Sequence, residues 1–209
     1  MSATVILVGC LKGGVGKTKT SMFVGQDLAD RGHEVLIVDA DPGTQGVAGW
    51  VQTLIRDHKG YELPWQVRQW ARECGLLGMW VPQQAADCEA DYVVLDVGAE
   101  IPDVLQYAAM LADHVVIPIG THQDELDRLS ATLTAIQGGA RPGVVPRVLL
   151  TRVDAIGVGA ARAVREALDS SGVTVCRTEI ARNKGLYDRY GQPIDGTGHY
   201  HDLVSELLA

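Results

Sequence analysis

Residues 9–20 read GCLKGGVGKTKT, between the apolar run TVILVG (4–9) and a helical segment from Thr18 to about Arg31. That segment sets Phe23, Val24 and Leu28 on one side and stops at Gly32. Strand, glycine loop and helix in this order turn successive backbone N–H groups inward at a helix N-terminus, where they hold an anion. The phosphate-loop spacing Gly-x-x-x-x-Gly-Lys-Thr fails when counted from Gly9. The register that ends in Gly16-Lys17-Thr18 begins at Leu11, where such a loop ordinarily has glycine. What remains is Lys12-Gly13-Gly14-Val15-Gly16-Lys17-Thr18, with Lys19 after it. Lys17 suits the β and γ phosphates of a nucleotide, and the Thr18 hydroxyl suits Mg²⁺. Lys12 is a second cation that this scheme does not use.

The rest of the chain repeats the alternation. EVLIVDAD (34–41), YVVLDVG (92–98), HVVIPIG (114–120), VPRVLLTRVD (145–154) and VTVCRTEI (173–180) read as strands. Helices are expected over 46–58, along the stripe Leu126, Leu129, Leu133 and Ile136, and over 159–170 with Ala160, Val164 and Leu168 inward. A short helix near 182–190 and a last one over 201–208 complete the pattern, while 61–90 gives no clear signal. The fold class is therefore α/β: a mostly parallel twisted sheet with right-handed crossovers and helices on both faces. Ligands of such sheets sit beyond the carboxyl ends of the strands, where Gly9, Asp39 and Asp96 fall. One domain is expected over 1–209.

Lys12, five residues before Lys17, gives the loop the pattern K-G-G-x-G-K-T. In this the chain resembles the ParA/MinD family of deviant Walker A P-loop ATPases over nearly its full length. It looks most like the small plasmid-type ParA proteins without an N-terminal DNA-binding extension. The resemblance implies ATP and Mg²⁺ as cofactors, and a nucleotide site formed by Lys12, Gly13, Gly14, Val15, Gly16, Lys17, Thr18 and Lys19. It also implies a homodimer in which Lys12 crosses to the phosphates of the other subunit, much as an arginine finger does. Asp39-Ala40-Asp41-Pro42 is similar to the family's first switch, so Asp41 would position the attacking water and Asp39 would help to hold Mg²⁺ with Thr18 and Asp96. Asp96 matches the Walker B aspartate, and Val97-Gly98-Ala99 the second switch. Two departures are Lys19, where the family has threonine, and Pro42-Gly43-Thr44-Gln45-Gly46 in place of P-Q-G-S.

The net charge is −8, yet it is unevenly spread: residues 141–189 hold nine basic and five acidic side chains. From that segment come the candidates for DNA contact, Arg147, Arg152, Arg162, Arg165, Arg177, Arg182, Lys184 and Arg189. The resemblance implies a DNA partition ATPase that binds non-specific DNA as an ATP dimer and answers to a ParB-type partner. A cytoplasmic, nucleoid-associated location with no membrane contact is expected. A MinD-like membrane cycle needs a basic amphipathic tail, whereas HDLVSELLA carries Asp202 and Glu206 and no Lys or Arg. A metabolic P-loop ligase shares the loop without needing Lys12. Thr151-Arg152-Val153-Asp154 falls where GTPases carry N-K-x-D; the residues leave GTP open, and the resemblance implies ATP. His199 and His201 have the spacing of a metal pair but are read as a polar turn, and the scattered cysteines as buried or idle thiols.

Overall fold

Along the central strands, alternate side chains enter different cores. On β1 (Thr4–Gly9), Val5 and Leu7 face one side of the sheet, Ile6 and Val8 the other. The same period of two runs through β2 (Val35–Ala40), β4 (Tyr92–Val97) and β5 (His114–Ile119). Strands buried on both faces need helices on both faces, and the chain supplies them. The computed structural model describes residues 3–41, 43–44, 46–99, 101–154, 158–182, 185 and 189–209. Among these, seven strands pair in parallel in the order β3-β2-β4-β1-β5-β6-β7. The remaining strands are β3 (Gln66–Gln69), β6 (Pro146–Val153) and β7 (Val175–Ala181).

One face is covered by α3 (Leu77–Asp87), α4 (Pro102–Leu111), α6 (Leu129–Gln137) and α7 (Val158–Ser170). The other is covered by α1 (Lys17–Asp30), α2 (Gly46–Asp57) and α8 (His199–Leu207). A single turn of helix, α5 (Gln123–Leu126), follows β5. The strand order reverses around β1: β2 lies beyond β4 on one side, and β5 adjoins β1 on the other. Loops after β1 and β4 therefore part at the carboxyl edge, where such folds open a crevice.

Several expectations are corrected. The segment 61–90 holds the short edge strand β3, a 3₁₀ turn at Arg72–Cys74 and α3. The helix drawn through Leu126 and Ile136 is broken into α5 and α6 at Asp127-Arg128. In α7 it is Ala161 that is buried, while Ala160 is exposed. His199 and His201 lie in the first turn of α8 rather than in a turn before it. The short helix expected near 182–190 falls largely outside the described residues.

α8 is tied to α1 by a buried carboxylate. Asp27, 2% exposed, accepts hydrogen bonds from Thr197 Oγ1 at 2.6 Å and Arg31 Nε at 2.7 Å, and lies 2.9 Å from His201 Nδ1. Arg31 also donates to the His201 carbonyl at 2.9 Å and to Ser205 Oγ at 2.8 Å. A carboxylate so deeply buried is tolerable only with such partners.

Candidate functional site

The loop after β1 bends through two left-handed residues, Gly14 (φ 75°) and Gly16 (φ 96°), which a side chain would strain. Gly16 caps α1, and Lys17 opens the helix with its side chain mostly buried. Lys17 Nζ donates to the Lys12 carbonyl at 3.0 Å, closing the loop on itself. A cavity of about 530 Å³ lies over it, lined by Gly13, Gly14, Gly16, Lys17, Thr18 and Lys19 from the loop and by Asp41, Gly43, Thr44 and Ala99. A cleft of about 590 Å³ near the amino ends of β1 and β4 carries none of the motif residues.

The carboxylates converge because parallel strands put them in register. Asp39 on β2 pairs with Asp96 on β4, and both are buried. Asp96 accepts Thr18 Oγ1 at 2.9 Å and Ser21 Oγ at 3.0 Å. Burial, and then the neighbouring Asp39, push its pKa up to about 7 against these hydrogen bonds and the charge of Lys17. Asp39 accepts the Ala48 N–H at 2.9 Å and the Asp41 N–H at 3.0 Å, yet burial still lifts its pKa above the ordinary carboxylate range. Two buried acids side by side, one of them raised in part by the charge of the other, form a site that a cation would stabilise. Ser21 was missed from sequence; it stands three residues after Thr18, on the same helix face.

The segments after β2 and β4 meet. A Cβ on Gly98 would lie 2.5 Å from Asp41 Cγ, so glycine lets the segment after β4 approach Asp41. Gly46, at the start of α2, leaves the same room for Thr18, whose Oγ1 would collide with a Cβ there. The unusual order after Pro42 thus still packs α2 against the phosphate loop; Pro42 and Gln45 lie outside the described residues. Asp41 holds its own loop: Oδ1 accepts the N–H groups of Gly43 and Thr44 at 3.1 Å, and Oδ2 accepts the Thr44 hydroxyl.

Lys12 points out of this pocket. Its Nζ lies 3.1 Å from Asp124 Oδ2 in α5, with both side chains partly exposed. Lys12 holds the Asp124 carboxyl below its usual range. Asp124 therefore has a partner in the phosphate loop.

The basic candidates separate into two groups. Arg147, Arg162, Arg165, Arg177, Arg182 and Arg189 belong to the β6–α7–β7 edge and the segment after it. Many of them pair there with Glu166, Glu179, Asp154 or Asp195. Arg147 donates to the Glu206 carbonyl at 3.3 Å. Arg152 lies apart from this set, beside the phosphate loop at the carboxyl end of β6, and Lys184 is outside the described residues.

Fold and loop together define a P-loop nucleotide-binding protein. The model of the CobQ/CobB/MinD/ParA nucleotide binding domain matches residues 6–193, and the chain belongs to that family of nucleotide-binding ATPases. Maintenance of carboxysome distribution protein A from Synechococcus elongatus is 59% identical over 32 residues, which span 15% of this chain and only 13% of that protein. The chromosome partitioning protein ParA of Myxococcus xanthus is 26% identical over an alignment of 229 residues, covering 91% of this chain and 80% of the relative. The solved structure of apo McdA from Cyanthece superposes with a TM-score of 0.74 at 18% identity, covering 99% of this chain and 100% of the other.

Proposed function

We propose that the chain is an ATP-dependent DNA partition ATPase. ATP closes a face-to-face homodimer, the dimer binds DNA without sequence preference, and a ParB-type partner stimulates hydrolysis and release. The observation that carries this reading is the pair of loop lysines with different surroundings. Lys17 is enclosed at the loop's own phosphate site, whereas Lys12 is partly exposed on its outer side in a surface ion pair. A lone catalyst needs only the first; a cation directed outward suits a second subunit's triphosphate.

Thr18, Asp39 and Asp96 would hold hydrated Mg²⁺ beside the phosphates, since two adjacent buried acids need positive charge there. When bound, Mg²⁺ neutralises charge on the triphosphate. Asp41 serves as the residue that orients water, which requires its carboxylate to turn from Thr44. The DNA face is drawn from Arg147, Arg162, Arg165, Arg177, Arg182, Lys184 and Arg189, and dimerisation doubles their phosphate contacts. α8 buries Tyr200, Leu203, Val204 and Leu207, so its apolar side packs inside the protein, which favours DNA over lipid as the surface bound.

Light scattering with ATP tests the dimer: wild type and Asp41→Ala should dimerise, Asp41→Ala more persistently, and Lys12→Ala should stay monomeric. Filter binding with ATP, ADP and no nucleotide tests the DNA step. Equal weak binding in all three states, or a strictly monomeric Asp41→Ala protein, overturns the reading.

A further inference from the structure

Arg152 is one of two non-glycine residues with a left-handed backbone among the described residues (φ 57°), a conformation that a long side chain adopts only when its surroundings hold it there. Its Nη1 donates to the Gly14 carbonyl at 2.9 Å, and its Nη2 is ion-paired to Glu125 in α5. Glu125 is buried, and its other oxygen accepts the Gly120 N–H. Gly120 makes the arrangement possible: a Cβ there would stand 2.7 Å from both Arg152 Nη2 and Glu125 Oε2. The preceding residue, Thr151, donates its hydroxyl to the Val15 and Ile119 carbonyls, each at 3.0 Å.

A trans peptide unit is planar, so its carbonyl and its N–H point in opposite directions. Arg152 therefore fixes the Gly14–Val15 peptide, and Thr151 the Val15–Gly16 peptide, with carbonyls turned toward β6. The N–H groups of Val15 and Gly16 must then point the other way, and consecutive N–H groups directed to one side make an anion nest. We propose that Arg152, held by Glu125, is a positioning residue for the phosphate loop, acting through the Gly14 carbonyl and assisted by Thr151. Glu125 also neutralises the guanidinium, so that Arg152 orients the loop rather than competing with Lys17 for phosphate. This rests on the reading of residues 12–18 as a nucleotide loop and deepens it.

The test measures binding of a fluorescent ATP analogue, together with KM and kcat for ATP hydrolysis, in four variants. Arg152→Asn keeps a residue that tolerates the left-handed backbone but removes the guanidinium; Arg152→Lys keeps the charge. Glu125→Gln weakens the hold on Arg152, and Thr151→Val removes the second tie. Arg152→Asn should weaken ATP binding roughly tenfold, the scale of one lost charge-assisted hydrogen bond, with KM rising more than kcat falls. Arg152→Lys should recover part of the loss, while circular dichroism and melting stay close to wild type. ATP affinity within threefold of wild type in a folded Arg152→Asn protein overturns the proposal. If that variant does not fold, Thr151→Val decides by the same threshold. Wild-type protein that binds no ATP would instead overturn the nucleotide-loop reading itself.

Discussion

Lys12 Nζ stands 3.1 Å from Asp124 Oδ2, so the lysine assigned to a second subunit is held by a carboxylate of its own chain. In the proposed dimer, closure would break this contact, so removing the acid should make closure easier. Asp124→Asn is expected to form the ATP dimer at a protein concentration at least threefold below wild type, with monomer affinity for ATP unchanged. Light scattering over a dilution series checks it. An unaltered dimerisation midpoint would show that the ion pair does not restrain Lys12.

The buried acids give the nucleotide-free protein an uncommon pH response. Asp96 has a folded pKa of about 7, whereas an unfolded aspartate sits near 3.9. Between those values the folded state binds more protons, so this group's contribution to stability falls as pH rises. Asp96→Asn cannot ionise. It should melt above wild type at pH 8. The difference should shrink toward pH 4, and calorimetry without nucleotide measures it; a variant less stable at pH 8 contradicts the expectation.

Glu206 behaves in the opposite sense. Burial would raise its pKa, but hydrogen bonds from the Arg177 and Thr178 N–H groups and the Thr178 hydroxyl outweigh burial and lower it. Its stabilising effect is present above the unfolded value near 4.3 and is lost as pH falls through the folded pKa. Glu206→Gln should cost about 1 kcal/mol at pH 7, discounted for solvent screening, and little at pH 3. Urea titrations at the two pH values separate these outcomes.

Thiol chemistry should report the packing. Cys10, Cys88 and Cys176 are buried and Cys74 is exposed, and burial pushes the Cys176 thiol up to about 12. A thiol reagent should label Cys74 quickly in the native protein and all four cysteines after denaturation. Rapid native labelling of two or more, followed by mass spectrometry, would contradict this burial.

The phosphate loop and the central strands were legible because their signals are local: an apolar run, a glycine turn and an acid at the strand end. β3 was not, since QVRQ lies at the sheet edge and carries no apolar run to distinguish it from a loop. The break between α5 and α6 was hidden because Leu126 and Leu129 keep helical spacing across it. Arg152 was grouped with the basic segment by charge alone; its tie to Gly14 spans 138 residues, and no periodicity reports such a contact. Ser21 alone had a local clue, its helical offset from Thr18.

The fastening of α1 at both ends has a mechanical consequence. A helix of 14 residues is about 20 Å long; this one begins at Lys17 in the loop after β1 and is held near its far end through Asp27 by Thr197 and His201. Substitution of Asp27 would therefore release the end of α1 opposite Lys17 from α8.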